Sequence, residues 1–404
     1  MAGRGLRRDD RMSVTNRAVL GGCALGLATG WNVANTGAVA QQLADAYGVG
    51  LATVGLFTTA LFVTHLVMQI PGGRASDRFG PRRVGLLGLV IVAASSSVAL
   101  AAHLPALALV ARGCTGIGTG LAFIAGSAYV RAQGGTPFAQ GLFGGVALAG
   151  GGVALAVVPR VEGALGWRAP FTTAICVAVG GLLVLALGPA DAGRRSARGS
   201  VEPARRGVMG DRQLYPLAVL YGASLGLSIV LGNWVATLLH RQGGLDKATA
   251  GSIGALTLVL GIVTRPLGGW ILHTRPARAR AAVGASLLGG AVGTVLLIAA
   301  TPAVATLGAV LVGLAAGIPF APAFTGAARA RPDAQAAAVG FVNGAASVVV
   351  LVGTPLVGLS FSLPGGGRAG FAAIAALWLG AFLLLPSRAR LGVPAMSGTE
   401  SPAG

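Results

Sequence analysis

The sequence predicts an all-α integral membrane protein with twelve transmembrane helices in two pseudo-symmetric six-helix bundles. Three observations predict this fold class: the composition, twelve apolar stretches and an internal repeat. Of the 404 residues, 54% are hydrophobic and only 10% are charged, and the mean hydropathy is +0.77. A soluble core of this size would carry more charge.

Each apolar stretch is long enough for one membrane crossing. About 20 mainly apolar residues in a helix cross ~30 Å of hydrocarbon, where backbone polar groups must satisfy one another. We number the stretches as spans 1 to 12. They cover residues 18–40, 51–71, 84–102, 105–128, 141–159, 169–188, 214–238, 250–272, 281–300, 303–328, 338–360 and 369–386.

The internal repeat relates the first six spans to the last six. Matching residues stand 196 to 200 positions apart and occur in the same order in both halves. The matched pairs are Gly73 and Gly269, Asn35 and Asn233, Gly113 and Gly313, Arg131 and Arg331, Gly141 and Gly340, and Gly145 and Gly344. The repeat predicts an N-terminal bundle over 1–188, a cytoplasmic linker over 189–213 and a C-terminal bundle over 214–404.

The placement of positive charge predicts the orientation. The formal net charge of +19 raises the possibility of nucleic-acid binding, but twenty-three of the 30 Lys and Arg fall on one side of the predicted membrane. Only five fall on the opposite side, so the positive-inside rule places both termini in the cytoplasm. We expect a multi-pass protein of the plasma (inner) membrane that contacts the lipid bilayer and binds no nucleic acid.

Two other interpretations of the sequence are disfavoured. Span 1 imitates a cleaved signal peptide, but it is long, it carries Asn32 and Asn35, and its loss would disrupt the repeat. Cys23, Cys114 and Cys176 lie inside spans without metal-like spacing, so we expect no disulfide framework, no metal site and no cofactor.

A glycine- and arginine-rich motif follows span 2, and we call it the span 2 motif. It consists of Gly73, Asp77, Arg78, Gly80, Arg82 and Arg83. With twelve spans in two halves, the chain resembles the major facilitator superfamily over essentially its whole length. This resemblance implies a secondary active transporter with one central site exposed alternately to either face.

The resemblance also implies a gating role for the motif. Asp77 is expected to contact the N-terminal end of span 11 and a basic residue such as Arg131, which would latch the outward-facing state. In the second half His273 stands where the motif has Asp77. We therefore expect gating to be asymmetric.

Two arginines within the spans are the main candidates for substrate binding. An intramembrane arginine costs at least ~2.5 kcal/mol, so Arg112 in span 4 and Arg265 in span 8 are expected to face a cavity or a partner. The alternative for Arg112 is a scaffold role, bonded to the backbone of a neighbouring helix. The alternative for Arg265 is that it snorkels to the cytoplasm.

The remaining candidates are neutral or titratable. No Asp or Glu falls inside a span, so two cations among neutral polar groups favour an anionic solute. Asn32, Asn35, Gln69 and Asn233 are candidate binding residues, and Trp31 and Trp234 either wall a cavity or are packing bulk. His65 is a candidate proton carrier, with hydrogen-bonded packing as its alternative.

Within the superfamily, two branches are similar to this chain. Arg265, Pro266 and Gly268 resemble the span 8 pattern of nitrate/nitrite porters, which pair that arginine with another in span 2, where this chain has Gln69. Val158 to Arg160, before Gly166 to Arg168, resembles the cyanate-type porters. The resemblance implies a monomeric transporter of a small organic or inorganic anion, with a proton or another ion as the coupling ion.

Other function classes remain as alternatives. Multidrug or metabolite efflux by an antiporter of the same superfamily is the first, and a transporter-like sensor or receptor is the second. An intramembrane enzyme is disfavoured because His65, His103, His240 and His273 are scattered and no carboxylate pair lies in the spans.

Overall fold

The computed structural model describes residues 8–101, 103–191, 207–299 and 301–393. Most of the predicted linker, residues 192–206, lies outside this part of the chain. The described helices are α1 (Arg8–Ala34), α2 (Ala40–Tyr47), α3 (Leu51–Val67), α4 (Gln69–Phe79), α5 (Pro81–Ala101), α6 (Pro105–Ala132), α7 (Pro137–Leu165), α8 (Ala169–Ala186), α9 (Tyr215–Tyr221), α10 (Ser228–Gly243), α11 (Lys247–Val259), α12 (Gly261–Thr274), α13 (Pro276–Ala299), α14 (Pro302–Gly317), α15 (Phe320–Ala330), α16 (Gln335–Ser360) and α17 (Arg368–Leu383).

These helices agree with twelve spans. Among the described residues, eight helices are long and apolar enough to cross a membrane, and the bent pair α3 and α4 adds a ninth. One of the eight, Pro137–Ala186, contains both α7 and α8 on either side of a short turn. The polar start of α1 and the shortness of α17 keep those two helices outside the same criteria.

Four of the spans are interrupted rather than continuous α-helices. Span 2 bends by 48° between α3 and α4, span 8 breaks at Leu260, and span 10 breaks between Gly317 and Phe320. Span 7 contains a π-helical turn over Gly222–Leu227. Kinks need a local cause, and Pro319 supplies it in span 10. Span 1 also ends earlier than predicted, at Ala34.

The two bundles meet along two seams. In the first seam α4 packs against α16, and in the second seam α7 packs against α12. Glycines allow these backbones to approach closely. A Cβ on Gly73 would lie 2.6 Å from the carbonyl oxygen of Ala336, and one on Gly145 would lie 2.6 Å from that of Ile262.

Corresponding arginines repeat one structural role in the two bundles. Arg82 near the start of α5 donates to the carbonyl oxygens of Leu185 and Ala186 at the end of α8, at 3.0 and 2.7 Å. Arg280 near the start of α13 donates to the carbonyl oxygen of Pro386, beyond α17, at 3.1 Å. Both arginines donate to backbone carbonyls at or just beyond the end of the last helix of their own bundle.

Candidate functional site

A central cavity lies between the bundles and opens at one end of the molecule, which we call the open end. Its outer part, the vestibule, has a volume of about 690 Å³ and is walled mainly by apolar side chains such as Val33, Leu155 and Ile229. Thr58, Thr59, Asn233 and Thr354 supply its polar groups. The opposite end, which carries the span 2 motif, is the closed end.

The vestibule continues into a smaller inner cavity of about 150 Å³. Val33, Phe62, Leu148, Gly151, Ile229 and Val350 line both parts. The inner cavity adds polar groups that the vestibule lacks. They are Thr29, His65, Arg265, Asn343 and Ser347, with Phe123 beside them.

Arg265 is the positively charged residue that lines this inner cavity in the described part of the chain. Its side chain is only 2% exposed, and one guanidinium nitrogen donates to the carbonyl oxygen of Gly144 at 2.8 Å. The guanidinium carbon lies 4.6 Å from the ring centre of Phe320, a cation–π arrangement. Nε and Nη2 have no hydrogen-bond partner in the described part of the chain. The predicted alternative of snorkelling does not describe this buried geometry.

Tyr221 is a neighbour of Arg265 that sequence reasoning missed. Its ring packs against Phe320 and Phe324 at 5.8 and 5.0 Å between centroids, and the side chain is fully buried. Its hydroxyl also lacks a partner within the described ranges. An aromatic residue in a span could equally belong to the apolar core, so the sequence carried no signal that separates the two roles.

Hydrogen bonds between neutral groups form the floor of the inner cavity. Asn343 on α16 donates to Gln69 Oε1 on α4 at 2.9 Å, and Gln69 Nε2 donates to the carbonyl oxygen of His65 at 3.0 Å. The His65 ring shares a hydrogen bond of 3.0 Å between Nδ1 and the Thr119 hydroxyl. The amide pair therefore links the two bundles directly beneath the site.

The structure places four predicted binding residues away from this cavity, inside the N-terminal bundle. Arg112 donates to the carbonyl oxygen of Asn32 at 2.6 Å and to Asn35 Oδ1 at 3.3 Å. Asn35 in turn donates to the carbonyl oxygen of Pro170, and the indole of Trp31 donates to Thr173. This geometry corresponds to the scaffold alternative for Arg112.

The remaining two candidates lie on α10. Asn233 lines the vestibule and donates to the hydroxyl of Thr354 at 3.2 Å. Trp234 donates to the carbonyl oxygen of Thr354 at 2.8 Å and packs against the ring of Phe361. Asn233 is thus available to a solute entering the vestibule, whereas Trp234 joins α10 to α16.

Comparison with known proteins identifies the family. The family model described as Major Facilitator Superfamily matches residues 20–354. The chain belongs to this superfamily. Its members are transporters, and the relatives below agree with secondary active transport of a small solute, as the sequence predicted.

Curated proteins similar to this chain come from two organisms. A probable sulfoacetate transporter, SauU, from Cupriavidus necator is 27% identical over 291 residues, which cover 66% of this chain and 67% of that protein. Nitrate transporter 2.1 from Chlamydomonas reinhardtii is 33% identical over 79 residues, which cover 20% of this chain and 14% of that protein.

Solved structures of the superfamily share the fold. The proton:xylose symporter XylE, bound to 6-bromo-6-deoxy-D-glucose, aligns with a TM-score of 0.74 at 15% identity and covers 92% of this chain and 95% of its own. The transporter FucP in the outward conformation aligns with a TM-score of 0.71 at 15% identity, with coverage of 92% and 97%.

At the closed end, Asp77 makes the contact expected from the superfamily resemblance. Its two carboxylate oxygens accept hydrogen bonds from the backbone amides of Ala336 and Ala337 at 2.9 and 3.0 Å. These amides belong to the first turn of α16, where the helix dipole also stabilises a negative charge. Arg131 is close enough to Asp77 to interact with it electrostatically. The gating role itself stays a prediction.

Gly73 of the span 2 motif packs across the first seam, whereas the contacts of Arg78, Gly80, Arg82 and Arg83 lie within the N-terminal bundle. Gly80 has φ +95°, and a Cβ there would collide with the carboxylate of Asp191. Asp191 accepts hydrogen bonds from the backbone amides of Arg82 and Arg83 at 2.8 and 3.3 Å, which caps α5. The Arg78 guanidinium lies 5.1 Å from the ring centre of Phe79.

The second seam has a different arrangement. The first turn of α7 is capped by Thr136 of the same bundle, whose hydroxyl accepts from the amide of Ala139 at 3.3 Å.

Arg331 and Asp333 form a bidentate ion pair just after span 10, with distances of 2.9 and 2.7 Å. This pair holds the pKa of Asp333 below its ordinary value.

Proposed function

We propose that this chain moves a small organic anion across the cell membrane and that Arg265 binds the anionic group. The observation that carries the proposal is the buried guanidinium of Arg265, which keeps Nε and Nη2 unpaired among the described residues. A buried charge is costly unless it is paired, so a carboxylate or sulfonate that accepts from both nitrogens offsets this cost.

The surroundings of Arg265 favour an anion with a short carbon body. The inner cavity of about 150 Å³ is small, and Phe62, Phe123 and Leu148 give it apolar walls. The names of the relatives agree with an anionic solute, since sulfoacetate and nitrate are both anions. Asn233 at the vestibule and Gln69, Asn343 and His65 at the floor complete the proposed pathway.

The proposed mechanism is alternating access by movement of residues 1–188 against residues 214–404. Both termini lie in the cytoplasm by the positive-inside rule, so the closed end faces inward and the vestibule faces outward. The Gln69–Asn343 hydrogen bond must break before the inner cavity can open at the closed end. We propose a proton as the coupling ion, with His65 as its carrier.

The decisive experiment compares Arg265→Gln with wild type in proteoliposomes. Uptake of radiolabelled short-chain carboxylates and sulfonates is expected to fall at least tenfold, because the bidentate donor is lost. Arg265→Lys is expected to restore only part of the activity, since an ammonium lacks the planar fork. The control is Arg160→Gln, which removes an exposed arginine outside the cavity.

The result that contradicts this proposal is undiminished uptake of every transported anion by Arg265→Gln. A circular-dichroism melting curve must accompany the assay, so that loss of folding is not mistaken for loss of binding.

A second candidate function is efflux of amphipathic compounds, and the apolar walls of the vestibule favour it. A volume of about 690 Å³ accommodates solutes larger than the inner cavity can hold. This alternative predicts that expression raises the tolerance of cells to amphipathic drugs and that Arg265→Gln leaves that tolerance intact.

A further inference from the structure

A second positively charged cavity lies at the closed end, on the far side of the seams from Arg265. Its volume is about 370 Å³, and it lies between the ends of α6 and α15 and the starts of α7 and α16. Its lining contains two arginines and four neutral polar side chains. They are Arg131, Thr136, Gln140, Thr325, Arg329 and Gln335.

Hydrogen bonds hold the two arginines in place. Arg131 donates to the Ser127 hydroxyl at 2.7 Å, and the buried Gln140 donates to the same oxygen at 2.7 Å. Arg329 donates to the carbonyl oxygen of Gly392 in the segment after α17. Neutral hydrogen-bond acceptors therefore position both side chains at the cavity, and Asp77 also interacts electrostatically with Arg131.

The nearby carboxylates offset only part of the positive charge of this cavity, because Asp77 interacts electrostatically with Arg131 while Asp333 pairs with Arg331. Asp77 is bound to the first amides of α16, and Asp333 is bound to Arg331 rather than to Arg329. The start of α7 adds the positive end of a helix dipole beside Thr136. Because a water molecule occupies ~30 Å³, the cavity has room for a small oxyanion together with some of its hydration water.

We propose that this cavity is a regulatory site for a small free oxyanion of the phosphate or sulfate class. Arg131 belongs to one bundle and Arg329 to the other, so an anion between them joins the bundles at the closed end. Separation of the bundles there would pull the arginines apart and lose the site. A bound anion therefore stabilises the state that is closed at this end and slows the transport cycle.

The first test measures sulfate-dependent thermal stability of purified protein in detergent, with chloride at equal ionic strength as reference. The background is Arg265→Gln, which removes the central anion site and makes the result independent of the proposed substrate. Sulfate is expected to raise the melting temperature by roughly 2–4 °C. Adding Arg329→Gln is expected to remove most of this rise, and Arg329→Lys is expected to keep part of it.

The matched control is Arg388→Gln, which removes an exposed arginine after α17 that does not line the cavity. The proposal is overturned if sulfate gives no stabilisation, or if Arg329→Gln and Arg388→Gln retain it equally. Stabilisation by anionic phospholipid but not by sulfate would also overturn it, since it would point to a lipid headgroup instead of a free ion.

The second test measures the conformational effect directly. Leu155→Cys in a variant lacking Cys23, Cys114 and Cys176 places a thiol in the vestibule. Sulfate is expected to increase its rate of labelling by a polar maleimide at least twofold, and Arg329→Gln is expected to abolish the increase. An unchanged or slower rate with sulfate would contradict stabilisation of the closed end.

Discussion

Arg112 and Arg265 are both buried within spans, and both donate to a backbone carbonyl, yet their surroundings differ. Arg112 also donates to Asn35 Oδ1 of its own bundle, whereas Arg265 faces an aromatic ring and a cavity. Sequence alone named both and could not separate them, because depth in a span is the same signal for a scaffold cation and a binding cation.

Arg112→Gln is expected to lower stability rather than substrate affinity. The substitution leaves the carbonyl oxygen of Asn32 without its donor, and an unpaired buried acceptor costs about 1–3 kcal/mol. A thermal melt of the purified protein checks the loss. The KM of the remaining folded protein is expected to stay within twofold of wild type, and a large change in KM with an unchanged melt would refute the scaffold role.

Phe320 offers a test of how Arg265 is held. Phe320→Leu removes the cation–π contact, worth up to about 2 kcal/mol in a desolvated site, so the KM for the anion is expected to rise several-fold. Uptake kinetics in proteoliposomes measure the change.

Phe324→Leu is the matched control for that prediction. Both rings are fully buried on the same helix, and both pack against Tyr221. The guanidinium of Arg265 lies over the ring of Phe320, whereas Phe324 packs against the rings of Phe320 and Tyr221. Both variants are expected to lose similar stability, and only Phe320→Leu is expected to weaken anion binding. An equal rise in KM in the two variants would mean that packing alone explains the effect.

At the scale of helices, the sequence predicted the spans better than their interruptions. Hydropathy averages over a whole crossing, so a break of one or two residues at Met68, Leu260 or Pro319 leaves no trace in it. Proline explains two of these breaks, because Pro71 has no amide hydrogen to bond the carbonyl of Val67 and Pro319 lies within the break of span 10. The breaks matter because His65, Gln69, Arg265 and Phe320 all lie within a few residues of one.

The glycines of the first seam give a prediction at this scale. Gly73→Ala would place a methyl group against the backbone of Ala336 and Ala337, so the closed end is expected to be destabilised. Maleimide labelling of a cysteine at Leu155 is then expected to slow, because the open-end state becomes less populated.

Gly55→Ala is the control, since a Cβ at Gly55 meets no atom within 4 Å. It is expected to leave the labelling rate unchanged. If the Gly73→Ala protein is labelled at the wild-type rate, the first seam tolerates the extra methyl group. The seam then does not set the balance between the state closed at this end and the state open there.

At the scale of the whole molecule, the composition, the twelve apolar stretches and the internal repeat together predicted the fold. The family match and the solved relatives confirm it, and the parallel contacts of Arg82 and Arg280 are its clearest structural trace. Domain limits stay a prediction, because most of the residues between the bundles lie outside the described ranges. The substrate stays a proposal, because most of the cavity wall is apolar and carries no solute-specific group.

The orientation in the membrane has a direct test. In a variant lacking the three native cysteines, Gly163→Cys is expected to react with an impermeant maleimide in intact cells, because the positive-inside rule places it outside. Arg278→Cys is expected to react only after the membrane is permeabilised. The reverse labelling pattern would mean that the vestibule opens to the cytoplasm and not to the outside.

The unequal capping of the two seams has a consequence for how the closed end comes apart. Asp77 ties α4 to α16 across the bundles, while α7 is capped from its own side and depends on close backbone packing against α12. Both seams pack backbone against backbone at glycines, and such contacts fall off with the first fraction of an ångström of separation, but the first seam also has the charged hydrogen bonds of Asp77. We therefore expect the two bundles to rotate relative to each other about the Asp77 contact between α4 and α16. They separate first along the seam where α7 faces α12.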